Sequence, residues 1–64
     1  MEVINIKFKG RKYLLIGNLK IGGAIATKKQ FENFFPSFAH LYANGEIKRY
    51  GDVIGKIEDL EIIK

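Results

Sequence analysis

Short strand-like segments recur about every ten residues along this chain, with glycines in many of the turns between them, and that spacing restricts it to short elements. Between those turns most segments read as strands. Ile4, Ile6 and Phe8 alternate with Asn5, Lys7 and Lys9, so residues 2–9 are expected to form a strand with one buried face. Lys9-Gly10-Arg11-Lys12 reads as a tight turn, with Gly10 able to take positive φ. Residues 12–17 follow as a second strand. The run Tyr13-Leu14-Leu15-Ile16 lacks alternation, which suggests cover on both faces. Residues 19–26 read as a third strand kinked at Gly22-Gly23, where small side chains let another element come close.

Thr27 and Gln30 have the Thr-x-x-Gln spacing of a capping box, so a helix is expected to start there. Phe31, Phe34, Phe35 and Phe38 share the spacing of one helix face, but Pro36 should end the helix near Asn33 to Phe35 and leave Phe38 to begin a strand. Ala39 to Ala43 and Glu46 to Tyr50 flank Asn44-Gly45, a strong signal for a type I′ hairpin. Gly51-Asp52 is another turn, Val53 to Ile57 reads as a short strand or an extended arm, and Leu60 to Ile63 is the last strand. The expected architecture is a single α+β, mostly β domain over residues 1–64. It is a small curled antiparallel sheet or SH3-like barrel of five to six strands, with one short helix plugging an open end with its phenylalanines. A flat sheet with the helix on one face is the alternative.

A chain of 64 residues buries only about 60% of the surface it exposes when unfolded, and domains of this size often need a disulfide, a metal or a partner chain. There is no cysteine, and His40 is the one histidine, so neither a disulfide nor a zinc site fits. A packed apolar core or a homo-oligomer must serve instead. The missing cysteines fit a reducing compartment. The longest aliphatic run, Leu14 to Ile16, falls far short of the roughly 20 residues that span a bilayer. A cytoplasmic protein without membrane contact is expected.

Side-chain catalysis needs a nucleophile with a base, paired acids or a metal. Ser37 and His40 lie three residues apart, but Ser37 follows Pro36 and reads as a turn residue. Glu58, Asp59 and Glu61 cluster without a calcium-loop spacing and read as a solvated acidic turn. Gly17-Asn18-Leu19-Lys20-Ile21-Gly22 has the spacing that opens a phosphate-binding loop, yet Gly23 stands where the lysine belongs and Ala24 where the hydroxyl belongs. No catalytic residue, metal ligand or cofactor is assigned, and the chain is not expected to be an enzyme.

What remains is surface. The net charge is +4. Residues 1–30 hold seven basic residues and one acid, which is +6, and residues 31–64 hold four and six, which is −2. Two features are candidates for binding. One is basic: Lys7, Lys9, Arg11 and Lys12 with Tyr13 beside them, joined by Lys28 and Lys29 at the helix start, and a second set of Lys48, Arg49 and Tyr50 near Tyr42. The other is the phenylalanine cluster of Phe31, Phe34, Phe35 and Phe38, whose surplus over what a small barrel can cover would mark a partner surface or a dimer contact. The first expectation is a small interaction protein that binds another protein, regulating or inhibiting it, and that forms a homodimer. The second is a nucleic-acid-binding module built on the basic hairpin.

The stretch from Phe38 to Glu61, with its turn–strand–turn cadence through Asn44-Gly45, Gly51-Asp52 and Gly55, resembles the C-terminal half of uncharacterised small proteins of bacterial phages and mobile elements. The resemblance implies no activity, and it favours a regulator of a host protein.

Overall fold

The computed structural model describes residues 2–33 and 36–63. These residues form seven strands, one five-residue helix and one 3-10 turn. In chain order they are β1 (Val3–Phe8), β2 (Arg11–Asn18), β3 (Gly22–Ala26), α1 (Lys28–Glu32), β4 (Ala39–Leu41), β5 (Glu46–Arg49), β6 (Asp52–Lys56), the 3-10 turn Ile57–Asp59, and β7 (Leu60–Ile62).

The strands make one sheet in the order β6-β5-β4-β3-β2-β1-β7, with every neighbouring pair antiparallel. Each strand lies beside its successor until β7, which pairs with β1 at the far edge. Only the 3-10 turn separates β6 from β7 in the chain. Three residues cannot cross a flat seven-stranded sheet, so the sheet must curl until its edges approach. A Cβ added to Gly55 in β6 would lie 2.8 Å from the ring of Phe8 in β1, the last strand but one at the opposite side of the strand order. The result is a curled half-barrel, and the flat alternative is excluded. The seven strands exceed the five to six expected from sequence, because the segment open to reading as an extended arm, Val53 to Ile57, pairs as β6, while Leu60–Ile62 forms β7 at the opposite sheet edge.

Alternation places the core. Ile6 and Phe8 of β1, Tyr13 and Leu15 of β2, Ile25 of β3, Ala39 and Leu41 of β4 and Ile47 of β5 are buried in one cluster. Ile4, Leu19, Phe38, Ile54, Ile57 and Leu60 pack against it. In β2 the burial alternates, with Tyr13 and Leu15 buried and Leu14 and Ile16 only partly so, unlike the two-sided cover expected from its sequence. The third strand starts at Gly22 and not at residue 19. Asn18 takes the preceding residues into a turn, its Oδ1 accepting hydrogen bonds from the amides of Lys20 (2.9 Å) and Ile21 (2.8 Å). Gly22 and Gly23 do admit a close approach: a Cβ on Gly22 would meet the carbonyl oxygen of Leu41, and one on Gly23 the carbonyl oxygen of Ile16.

Two hairpins are two-residue turns of the I′ kind, and neither is the expected Asn44-Gly45. Phe8 pairs with Arg11 across Lys9 (φ 50) and Gly10 (φ 80), and Arg49 pairs with Asp52 across Tyr50 (φ 53) and Gly51 (φ 84). Asn44-Gly45 instead belongs to a three-residue loop. The amide of Tyr42 donates to the Glu46 carbonyl and the amide of Gly45 to the Tyr42 carbonyl, each at 2.9 Å, with Gly45 at φ 90. The core requires this. Leu41 opposes Ile47 with both side chains buried. A two-residue loop would slide Leu41 opposite Lys48 and turn it out to solvent.

The helix begins as its sequence indicates. Thr27 Oγ1 accepts from the Gln30 amide (3.0 Å), and Gln30 Oε1 accepts from the Thr27 amide (2.9 Å). It ends at Asn33, whose side chain donates to the Lys29 carbonyl at 2.8 Å. It buries no residue, and Phe31 remains 43% exposed. The helix therefore does not plug the sheet with Phe31. Phe34 and Phe35 lie outside the described residues. A helix this short depends on its cap, so Thr27→Ala is expected to cost about 1 kcal/mol. Thermal unfolding should show a midpoint lower by roughly 4–8 °C.

Candidate functional site

The two basic and aromatic sets, distant in sequence, meet through Phe38. This residue precedes β4, half-buried at the rim of the core. Its ring stacks on Tyr13 of β2, with centroids 4.8 Å apart and planes at 19°. The Arg49 guanidinium lies over the other end of the group, 4.7 Å from the Phe38 centroid and 5.2 Å from that of Tyr50. Tyr13, Phe38, Arg49 and Tyr50 thus form a run of planar groups from the core to the tip of the β5–β6 hairpin. Each contact lies within the range of aromatic stacking or cation–π attraction.

Three shallow clefts follow this run. One, of about 180 Å³, lies between Phe38, His40, Tyr42 and the Lys48–Gly51 hairpin. A second, of about 200 Å³, is lined by Phe8, Lys9, Arg11, Tyr13 and Phe38. The third, also about 200 Å³, is lined by Asn5, Lys12, Tyr13, Leu14 and Lys28. Phe38 is common to the first two clefts and Tyr13 to the last two. The Lys28 side of the helix start thereby joins the N-terminal hairpin, while Lys29 and Phe31 line none of these clefts.

Of the cations along the run only Lys48 forms an ion pair among the described residues, with Glu46 at 3.9 Å, a surface contact worth about 0–1 kcal/mol. Arg49 faces Asp52 in the strand register, yet its guanidinium lies on aromatic rings. Lys9 Nζ sits 5.4 Å from the Phe8 ring centroid. Lys7 stands apart from the clefts, opposite Lys12 on one side and Glu61 on the other. Like charges directly opposite, as at Lys7 and Lys12, cost stability.

The tyrosines differ in kind. Tyr13 is buried and belongs to the core. Tyr50 is 92% exposed and occupies a left-handed conformation at φ 53. That backbone costs a non-glycine residue roughly 1–2 kcal/mol, and nothing in the core repays it. Tyr42 stands near the second basic set in the sequence, and the structure adds His40, its neighbour on the outward side of β4. Their rings lie 5.1 Å apart, and Lys48 Nζ is 5.4 Å over the Tyr42 ring. The spacing of two between His40 and Tyr42 is the sequence signal for this pair.

The remaining chemical candidates do not assemble a site. Ser37 and His40 both border the first cleft, with no hydrogen bond between them among those the described residues make. No group of three or more acidic, His or Cys side chains suited to a metal occurs among the described residues. Asp59 instead accepts from the Lys56 amide at 3.0 Å. Gly17 faces Gly23 and Asn18 faces Gly22 in the β2–β3 pairing, where these glycines serve the backbone. No helix among the described residues is long and apolar enough to cross a membrane. A scan against protein-family models and searches of curated proteins and of solved structures found no match to this chain.

Proposed function

We propose that this chain is a non-enzymatic binding module for nucleic acid. The observation that supports this most is the joining of two basic segments by one aromatic run: Lys9, Arg11, Lys12 and Lys28 flank Tyr13 and Phe38, and Arg49 continues to Tyr50. Phosphates attract such cations through charge and counterion release, and planar groups beside them suit bases. The test is titration with nucleic acid at low salt. Binding there, weakened by added salt, upholds the reading, and no binding at low salt removes it. The finer architecture proposed with it is an SH3-like barrel, supported by the 3-10 turn that carries the chain from one sheet edge to the other.

A second reading is a protein-binding regulator or inhibitor that acts as a homodimer in the cytoplasm. Phe31 supports it, since the helix that carries it leaves it 43% exposed. A sedimentation measurement separates the two. A dimer that loses its contact on Phe31→Ser favours this second reading, whereas a monomer that binds nucleic acid favours the first.

A further inference from the structure

We infer that the nucleic acid taken by this surface is single-stranded, with a base stacked on the free face of Tyr50. This rests on the nucleic-acid reading and adds the strand state and the residue that reads it.

Tyr50 is the outer end of the planar run. Its backbone is held at φ 53 in a two-residue turn where glycine or asparagine would sit without strain. Its side chain is 92% exposed. Neither packing nor turn geometry therefore accounts for a tyrosine at this position. Strained positions that give no packing in return are characteristic of binding sites. Arg49 steadies the ring from one side, its guanidinium 5.2 Å from the Tyr50 centroid and 4.7 Å from that of Phe38. Phe38 is fixed in turn by its stack on Tyr13. The platform is thus organised before any ligand arrives, and a further planar group extends the series.

A duplex cannot use such a platform, because its bases already stack on each other. It would meet only the cations. An unpaired strand offers both phosphates for Lys9, Arg11, Lys12 and Lys28 and free base faces for Tyr50. Stacking of this sort tolerates any base, so little sequence preference is expected.

The experiment measures binding of labelled single strands of DNA and RNA, about ten nucleotides long, and of a duplex of matched length. It uses the intact chain and three variants: Tyr50→Phe, Tyr50→Asn and Tyr50→Ala. The single strands should bind more tightly than the duplex. Tyr50→Asn should weaken them by about 5- to 150-fold, the range that one stacked base carries. Tyr50→Phe should keep the affinity. Duplex binding should not respond to any of the three. Tyr50→Asn should also raise the thermal midpoint, because it relieves the turn, so that lost affinity is not lost folding. Comparing the DNA and RNA strands identifies which sugar the site prefers. Equal binding of duplex and single strand, or an unchanged affinity in Tyr50→Asn, overturns the inference while leaving the nucleic-acid reading standing. No binding by any of these nucleic acids overturns both.

Discussion

Gly22→Ala is expected to remove most of the stability of this domain. Gly22 opens β3 at φ 89, a conformation an alanine resists by about 1–2 kcal/mol. The added Cβ would also meet the carbonyl oxygen of Leu41 in β4, which is backbone and cannot rotate away. Forced overpacking of this kind costs about 1–3 kcal/mol more. A chain of 64 residues has roughly 3–10 kcal/mol in all, so much or all of the margin goes. Gly10→Ala is the control. It shares the positive φ (80), but its Cβ would meet nothing within 4 Å, so it should lose only the strain component. Denaturant unfolding of the two variants separates backbone strain from steric contact. Equal midpoints would contradict the close approach of β3 to β4.

The second large effect concerns binding. The triple variant Arg11→Ala, Lys12→Ala, Lys28→Ala removes three exposed cations, none of which forms an ion pair with a described carboxylate. Its folding should not be weakened, since Lys12→Ala relieves the repulsion with Lys7 and alanine at residue 28 suits the helix. Each phosphate contact to a single strand contributes about 0.7 decades of affinity per decade of salt. Losing three should weaken binding about 100-fold at 0.1 M salt, with the difference closing as salt nears 1 M. Fluorescence anisotropy at several salt concentrations reads both quantities. A loss that does not depend on salt would show that the three residues act through shape and not charge.

Much of the fold is legible wherever a local rule decides it. The alternation of Ile4, Ile6 and Phe8 gives β1, and the Thr27–Gln30 spacing gives the helix start. Both depend on neighbours a few residues away. The turns are less legible, because tertiary register overrides local preference. Lys9 and Tyr50 are poor candidates for positive φ, yet the strand pairing places them there. Asn44-Gly45 is an excellent two-residue turn, yet burial of Leu41 against Ile47 demands three residues.

The candidate site shows the same division. Its charges and tyrosines are visible in sequence as two separate sets. Their union is not, because it depends on Phe38 lying across Tyr13, a contact between residues 25 positions apart. Helical spacing groups Phe38 with Phe31, Phe34 and Phe35, but Pro36 and the start of β4 at Ala39 detach it. The exposure of Tyr50 also follows from pairing alone, since Arg49 and Asp52 must face each other before residue 50 becomes a tip.

The most direct measurement is the affinity of the intact chain for a single strand of about ten nucleotides as salt rises from about 0.05 to 0.3 M. If Lys9, Arg11, Lys12, Lys28 and Arg49 act as one surface, log K should fall against log salt with a slope of about −3.5. A slope near zero, or no binding at the lowest salt, would contradict a joined basic and aromatic surface for nucleic acid.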